Sequence, residues 1–258
     1  MPIRLLDRGE LKREAKELIR TAHVSPIRFT LFFFAIAIVL DLIDSGLTNI
    51  TNTGVSVAFL TVSFISILIS LIAQVLSAGY LCYCLGVHRR EEMPYESLFD
   101  GFAFAGKVIL LVVLEGIFVF LWSMCFVIPG IIALYRYSFA MWNLCEDPSI
   151  GALEALRRSK QQTRGYKWQL FVLQLSFIGW FILVGVVASI YESLAVRFLP
   201  GTLAGVMIGA VIYGVLTAAA EAYFKPYYTL SVCGFYLRAT AARDADGPQE
   251  RSGYDPEF

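Results

Sequence analysis

The sequence predicts an all-α fold: a polytopic membrane protein of six transmembrane helices with cytoplasmic amphipathic helices. Three observations predict it. The 258 residues are 57% hydrophobic and only 16% charged, against about 45–50% and about 25% in an ordinary soluble domain. Six apolar runs approach or exceed the roughly 20 residues that one bilayer crossing takes. The basic residues collect on one side of those runs. The same composition excludes a disordered chain, a disulfide scaffold and a collagen-like repeat. Net charge is zero, from 21 Lys plus Arg against 21 Asp plus Glu. That removes the basic excess that nucleic-acid binding needs.

Residues 1–26 read as a cytoplasmic amphipathic N-terminal helix. Its segment GELKREAKELIRTA, from Gly9 to Ala22, puts Leu11, Ala15, Leu18, Ile19 and Ala22 on one face, with charges opposite. A membrane domain follows over 27–238. Its first span covers about 27–43. The second, about 55–85, is longer than a bilayer needs and predicts tilt or projection into water. The third, 108–128, ends at Pro129-Gly130, which cannot continue a regular helix without cost. The fourth, 131–145, is short and carries Arg136. The fifth covers about 168–191 and the sixth about 201–222. Residues 239–258 read as a disordered cytoplasmic tail.

Charge placement orients these spans. The N-terminus to Arg28 holds seven basic residues, and the segment before the third span holds Arg89, Arg90 and Lys107. The segment before the fifth holds Arg157, Arg158, Lys160, Arg164 and Lys167. The C-terminal part holds Arg238, Arg243 and Arg251. These make eighteen of the 21, against Arg197 alone in the opposite loops. Such a bias requires an even number of spans, hence six, with both termini cytoplasmic. No small-x-small cleavage site follows Ile43, so the first span does not read as a signal peptide. Pro2 stands where N-myristoylation needs glycine, and a prenylation box is absent. Asn49-Ile50-Thr51 is a formal glycosylation sequon in a loop too short to favour it.

Amphipathic segments precede the other odd-numbered spans as well. Tyr95 to Gly106 places Leu98, Phe99, Phe102 and Ala105 on its apolar face. Ser149 to Thr163 places Ile150, Leu153 and Leu156 in one stripe, after the start signal Glu146-Asp147-Pro148-Ser149. Each fits a helix in the interface, apolar side in lipid and basic residues toward anionic headgroups. Arg157, Arg158, Lys160, Arg164 and Lys167 are the expected headgroup contacts.

Small residues mark packing faces. Gly201, Gly205 and Gly209 repeat every four residues in the sixth span, which lets helices approach closely, either within the bundle or between two copies. Ser63, Ser66, Ser70, Ala73 and Ser77 form one weakly polar stripe on the second span, with Gln74 beside it expecting a partner. Charges within the apolar runs are candidate sites by default. Glu115, Glu221 and Lys225 can form one cluster near the cytoplasmic side, and Arg136 with Asp41 a pair near the other. Either serves as a polar ligand site or as structural glue.

Catalysis has no visible constellation. No H-E-x-x-H, G-x-S-x-G or P-loop pattern occurs, so an enzyme is not expected. The five cysteines are scattered through or beside apolar runs, which is neither a zinc spacing nor a disulfide framework. His88, beside Arg89-Arg90, reads as a solvated loop residue. No metal, cofactor or nucleic acid is expected. The expected partners are membrane lipids, with anionic headgroups foremost, and a partner protein or a second copy.

The stretch from Ile128 to Trp180 carries a specific likeness. It contains Ile128-Pro129-Gly130-Ile131-Ile132, Glu146-Asp147-Pro148, Ala152 to Ser159 (ALEALRRS), Gly165 to Phe171 (GYKWQLF) and Leu175 to Trp180 (LSFIGW). With Glu10-Leu11-Lys12, Leu98 to Phe102, Pro226-Tyr227 and Phe235-Tyr236, it resembles the bacterial integral-membrane family known as domain of unknown function 975. The resemblance covers nearly all of the chain before Ala239. Members often have His where this chain has Tyr166. The pattern is also similar to the membrane domain attached to some glycerophosphodiester phosphodiesterases, whose hydrolase domain is absent here. The resemblance implies a bacterial inner-membrane protein of six spans and supplies no activity or site residues. The function expected is non-enzymatic binding of headgroups or a protein at the cytoplasmic face. The alternative is transport of a small solute or lipid through the intramembrane charges, and an intramembrane enzyme comes last.

Overall fold

A computed structural model describes residues 7–51, 56–198 and 203–245. Gly201, Arg251 and the tail beyond 245 lie outside the described residues. Among the described residues every regular element is helical. The helices are α1 (Arg8–Thr21), α2 (Pro26–Thr51), α3 (Ser56–His88), α4 (Ala105–Cys125), α5 (Val127–Tyr137), α6 (Ala140–Glu146), α7 (Ala152–Gln162), α8 (Lys167–Leu175), α9 (Ile178–Phe198), α10 (Leu203–Glu221) and α11 (Phe224–Ala245). A 3-10 helix, Tyr95–Phe104, leads into α4.

Among the described residues, four stretches are long and apolar enough to cross a bilayer: Pro26–Thr48, Leu60–His88, Tyr95–Met124 and Ala204–Glu221. The fifth candidate is a bent pair, Lys167–Leu175 and Ile178–Tyr191, with 49° between its halves. Ser176 breaks the ladder there by bonding its hydroxyl back to the Leu173 carbonyl. Phe177 is then held among Phe224, Tyr227 and Tyr228. An inserted side-chain bond beside a serine is an ordinary cause of a kink.

The expected fourth span is not one helix. α5 has 11 residues and α6 has 7, so α5 rises about 16 Å at 1.5 Å per residue, half of a hydrocarbon core of about 30 Å. The chain also turns earlier than Pro129-Gly130. The extended residue is Phe126, and Pro129 sits in the first turn of α5, where its missing N–H costs nothing. Gly130 lets α5 close on α4: a Cβ there would stand 2.2 Å from Ser123 Oγ.

The amphipathic segments pack on protein. The α1 residues Leu11, Ala15, Leu18 and Ile19 are buried, and α1 lies along α11. Asp7 caps α1 by accepting from Gly9 N–H at 2.8 Å. In the 3-10 helix the three-residue repeat buries Leu98, Gly101 and Phe104 and turns Phe99 and Phe102 outward. The expected face assumed 3.6 residues per turn. α11 runs to Ala245 with Ala239 buried, so residues 239–245 are helical.

α10 lies along α2. Gly205 and Gly209 are buried, and the Gly209 carbonyl accepts from Tyr191 Oη at 2.5 Å. A Cβ at Gly214 would stand 2.6 Å from Ile38 Cγ1. On α3, Ser66 Oγ donates to Asp44 of α2. Ser70 and Ser77 bond back to their own helix, and Ser63 is half-buried. Gln74 is exposed.

Candidate functional site

The α7–α8 segment carries the five expected headgroup contacts. Its start signal folds as an Asx turn, with Ser149 N–H and Oγ both donating to Asp147 Oδ1, at 3.2 and 2.5 Å. The Ser149 hydroxyl foremost, with Arg158 adding to it, holds the Asp147 carboxyl below the usual carboxylate range. The helix begins at Ala152, later than expected, and Lys107 Nζ bonds the carbonyls of Pro148 and Ser149 at 2.5 and 3.1 Å.

α7 turns Ala152, Ala155, Leu156 and Ser159 inward. Ile150 is buried too, but Leu153 is 63% exposed, so the expected apolar stripe splits. Leu153 instead heads an outward row with Arg157, Lys160 and Arg164, all exposed and spaced to share one helix face. Arg157 Nη1 lies 3.9 Å from Glu154. Arg158 lies 3.4 Å from both Glu154 and Asp147. These two arginines are neutralised locally. Lys160, Arg164 and Lys167 form no ion pair among the described residues.

The cations that remain gather together. Lys167 lies within electrostatic reach of Arg136, Arg164 and Lys160. Arg243, in the last turn of α11, donates from Nη2 to the Arg164 carbonyl at 2.5 Å. Gly165, at φ 84°, makes the turn between α7 and α8 in a left-handed conformation that suits glycine. Just beyond it, Trp168 is 71% exposed. Such a ring beside lysine and arginine belongs at headgroup level.

The Arg136 backbone meets α7 at the break between α5 and α6. The break frees the Arg136 carbonyl and the Phe139 N–H. Ser159 Oγ serves both, donating to the first at 2.8 Å and accepting from the second at 3.1 Å. Thr163 Oγ1 adds a bond to the same carbonyl at 3.2 Å. Asn143 and Gln162 exchange reciprocal 2.8 Å bonds, and Tyr236 Oη joins Asn143 to Glu146 at 3.0 and 2.5 Å. Broken helix inside a membrane protein is tolerated where protein groups satisfy it. Ser159→Ala should therefore cost about 1–3 kcal/mol, the penalty of an unsatisfied buried group, seen as a lower unfolding temperature in detergent. An unchanged midpoint would show that water replaces the hydroxyl. Sequence reasoning missed Ser159, Thr163, Asn143 and Tyr236. The available signal was an asparagine inside an apolar run.

The other charges divide. Glu221 and Lys225, one turn apart, lie within electrostatic reach of each other. Lys225 Nζ sits 3.7 Å from the Phe33 ring centroid, 4.9 Å from Phe34 and 5.3 Å from Tyr80, a cation–π site. Glu115, half-buried on α4, forms no ion pair with them. Nor does Arg136 pair with Asp41. Its guanidinium lies 5.5 Å over the Trp122 ring, while Asp41 sits beside Asp44 on α2. Bending at 138–139 carries Arg136 toward α7, which a single straight span would not do.

His88 is not a solvated loop residue. It ends α3 with its side chain 4% exposed. Nε2 lies 2.8 Å from the Leu230 carbonyl and Nδ1 lies 4.0 Å from Glu14. Glu14 in turn pairs with Arg238 at 2.8 Å. Two cavities open near these elements, of about 320 Å³ beside His23, Tyr83 and Arg90, and about 400 Å³ beside Cys82, Lys107 and Cys145. Neither is lined by Glu115, Glu221 or Arg136.

Comparison with known proteins finds no match among curated proteins or solved structures. One family model matches, over residues 1–135 and 124–243. Its two matches together take in the helices described above up to residue 243, the α7–α8 turn included. The chain belongs to the family described as protein of unknown function (DUF975).

Proposed function

We propose that this protein is a non-enzymatic membrane module that binds anionic lipid headgroups at its cytoplasmic face. The observation that carries the reading is the run of Lys160, Arg164 and Lys167 along one turn, with no carboxylate paired to them among the described residues. Like charges in one place repel unless an anion neutralises them. A leaflet rich in anionic lipid supplies that anion, worth about 1 kcal/mol per basic residue at the surface. The exposed Trp168 next to Lys167 suits the headgroup and acyl boundary. Glu154 and Asp147 already occupy Arg157 and Arg158, so those two contribute less.

The same reading makes six crossings, with both termini cytoplasmic in a bacterial inner membrane. α5 and α6 together form a broken fourth crossing, and α8 with α9 a bent fifth. Lys107, at the start of α4, meets Pro148, just past α6, which fits a chain that leaves and returns to one side. The basic residues then lie on that side.

The test is lipid binding to the detergent-solubilised full chain, read by native mass spectrometry with phosphatidylglycerol against phosphatidylcholine. Changing Lys160, Arg164 and Lys167 to Gln is expected to weaken phosphatidylglycerol retention by about 10-fold or more. Changing Arg157 and Arg158 is expected to do much less. Equal retention by the triple variant and the natural chain would reject the reading.

A further inference from the structure

We infer that the cation cluster is one stoichiometric site for a lipid carrying two phosphate groups. The inference rests on the headgroup reading and narrows it. Lys160, Arg164 and Lys167 come from three segments, α7, the turn after it and the start of α8. Arg243 of α11 closes the fourth side by bonding the Arg164 carbonyl. Four cations meet at one turn. A singly charged headgroup neutralises one of them, and a second such lipid would repel the first. Two phosphates on one molecule bring both charges without that repulsion, and the second contact is intramolecular.

The backbone adds to the field. α8 starts at Lys167 without a side-chain cap on its N-terminus, so the positive end of its dipole faces the same turn. Arginine and lysine divide the work. The planar forks of Arg164 and Arg243 suit bidentate phosphate contacts, while Lys160 and Lys167 act as point charges. The occupant is a lipid because Trp168, 71% exposed, follows directly on Lys167 and offers an acyl chain an apolar surface.

The experiment uses the purified full chain in detergent. Cardiolipin is compared with phosphatidylglycerol at equal phosphate concentration by native mass spectrometry, and inorganic pyrophosphate is the soluble probe. One cardiolipin per chain is expected, bound about 10-fold or more tightly than phosphatidylglycerol. Lys160→Gln with Arg164→Gln should erase that preference, Arg164→Lys should keep part of it, and Arg13→Gln, exposed on α1, should leave it intact. Equal affinity for the two lipids would overturn this inference and leave headgroup binding standing. No preference for either over phosphatidylcholine would overturn both. Pyrophosphate binding as tightly as cardiolipin would overturn the assignment of a lipid.

Discussion

Gly79→Ala is expected to abolish the folded bundle. A Cβ at Gly79 would stand 1.9 Å from the Leu98 carbonyl oxygen and 2.7 Å from its carbon. Both are backbone atoms of the 3-10 helix, so no rotamer change relieves the clash. Gly101 is the reciprocal contact, with its Cβ position 2.3 Å from the Val75 carbonyl oxygen. α3 and the 3-10 helix meet backbone to backbone across this pair, and a methyl group on either must push the elements apart. The cost should reach about 3 kcal/mol or more, the upper end for overpacking. Size-exclusion profiles and unfolding temperatures in detergent would read it. Gly116→Ala and Gly185→Ala are the controls, because nothing lies within 4 Å of either Cβ position. They should match the natural chain or exceed it, since alanine is favoured in helices by about 1 kcal/mol. Equal stability of Gly79→Ala and Gly116→Ala would refute the close approach.

Leu11→Asp is the second large effect, and it acts locally. Leu11 is 1% exposed in the seam between α1 and α11, where a Cβ on Gly234 would already lie 3.2 Å from its Cδ2. Truncating a buried leucine costs about 2–5 kcal/mol, and a carboxylate there adds its own desolvation. The other ties of α1 cannot compensate. Arg238 bridges Glu10 at 3.4 Å and Glu14 at 2.8 Å, but partly exposed pairs contribute about 0–1 kcal/mol each. α1 should detach while the membrane helices stay folded. Limited trypsin digestion would then cut at Arg13 and Lys16 faster in the variant than in the natural chain. Identical cleavage would mean that α1 is not held by α11, and that its apolar face belongs to lipid as the sequence alone suggests.

That contrast shows where sequence reading stops. The amphipathic pattern of α1 named the right residues, Leu11, Ala15, Leu18 and Ile19, but not what covers them. A bilayer and a neighbouring helix are equally apolar, so periodicity cannot separate the two. In the 3-10 helix the pattern chose Phe99 and Phe102 and the fold buried Gly101 and Phe104. The helix type sets the repeat, and two glycines in close contact set the helix type. Arg136 was legible as an unusual charge, yet its neighbours were not. Its position depends on a break whose loose ends are satisfied by Ser159 and Thr163, more than twenty residues away in the chain.

The sequence by itself determined that the chain is helical, apolar enough for several membrane crossings, and a member of its family. Those properties are sums over local composition, and they survive any arrangement of the helices. Tertiary structure alone decided which cations keep their charge unpaired. Glu10 and Glu14 draw in Arg238, and Glu146 draws in Arg89, each from a distant part of the chain. Electrostatic pairing falls off with distance through space and not along the chain. The α7–α8 turn holds three cations that take part in no such pair among the described residues.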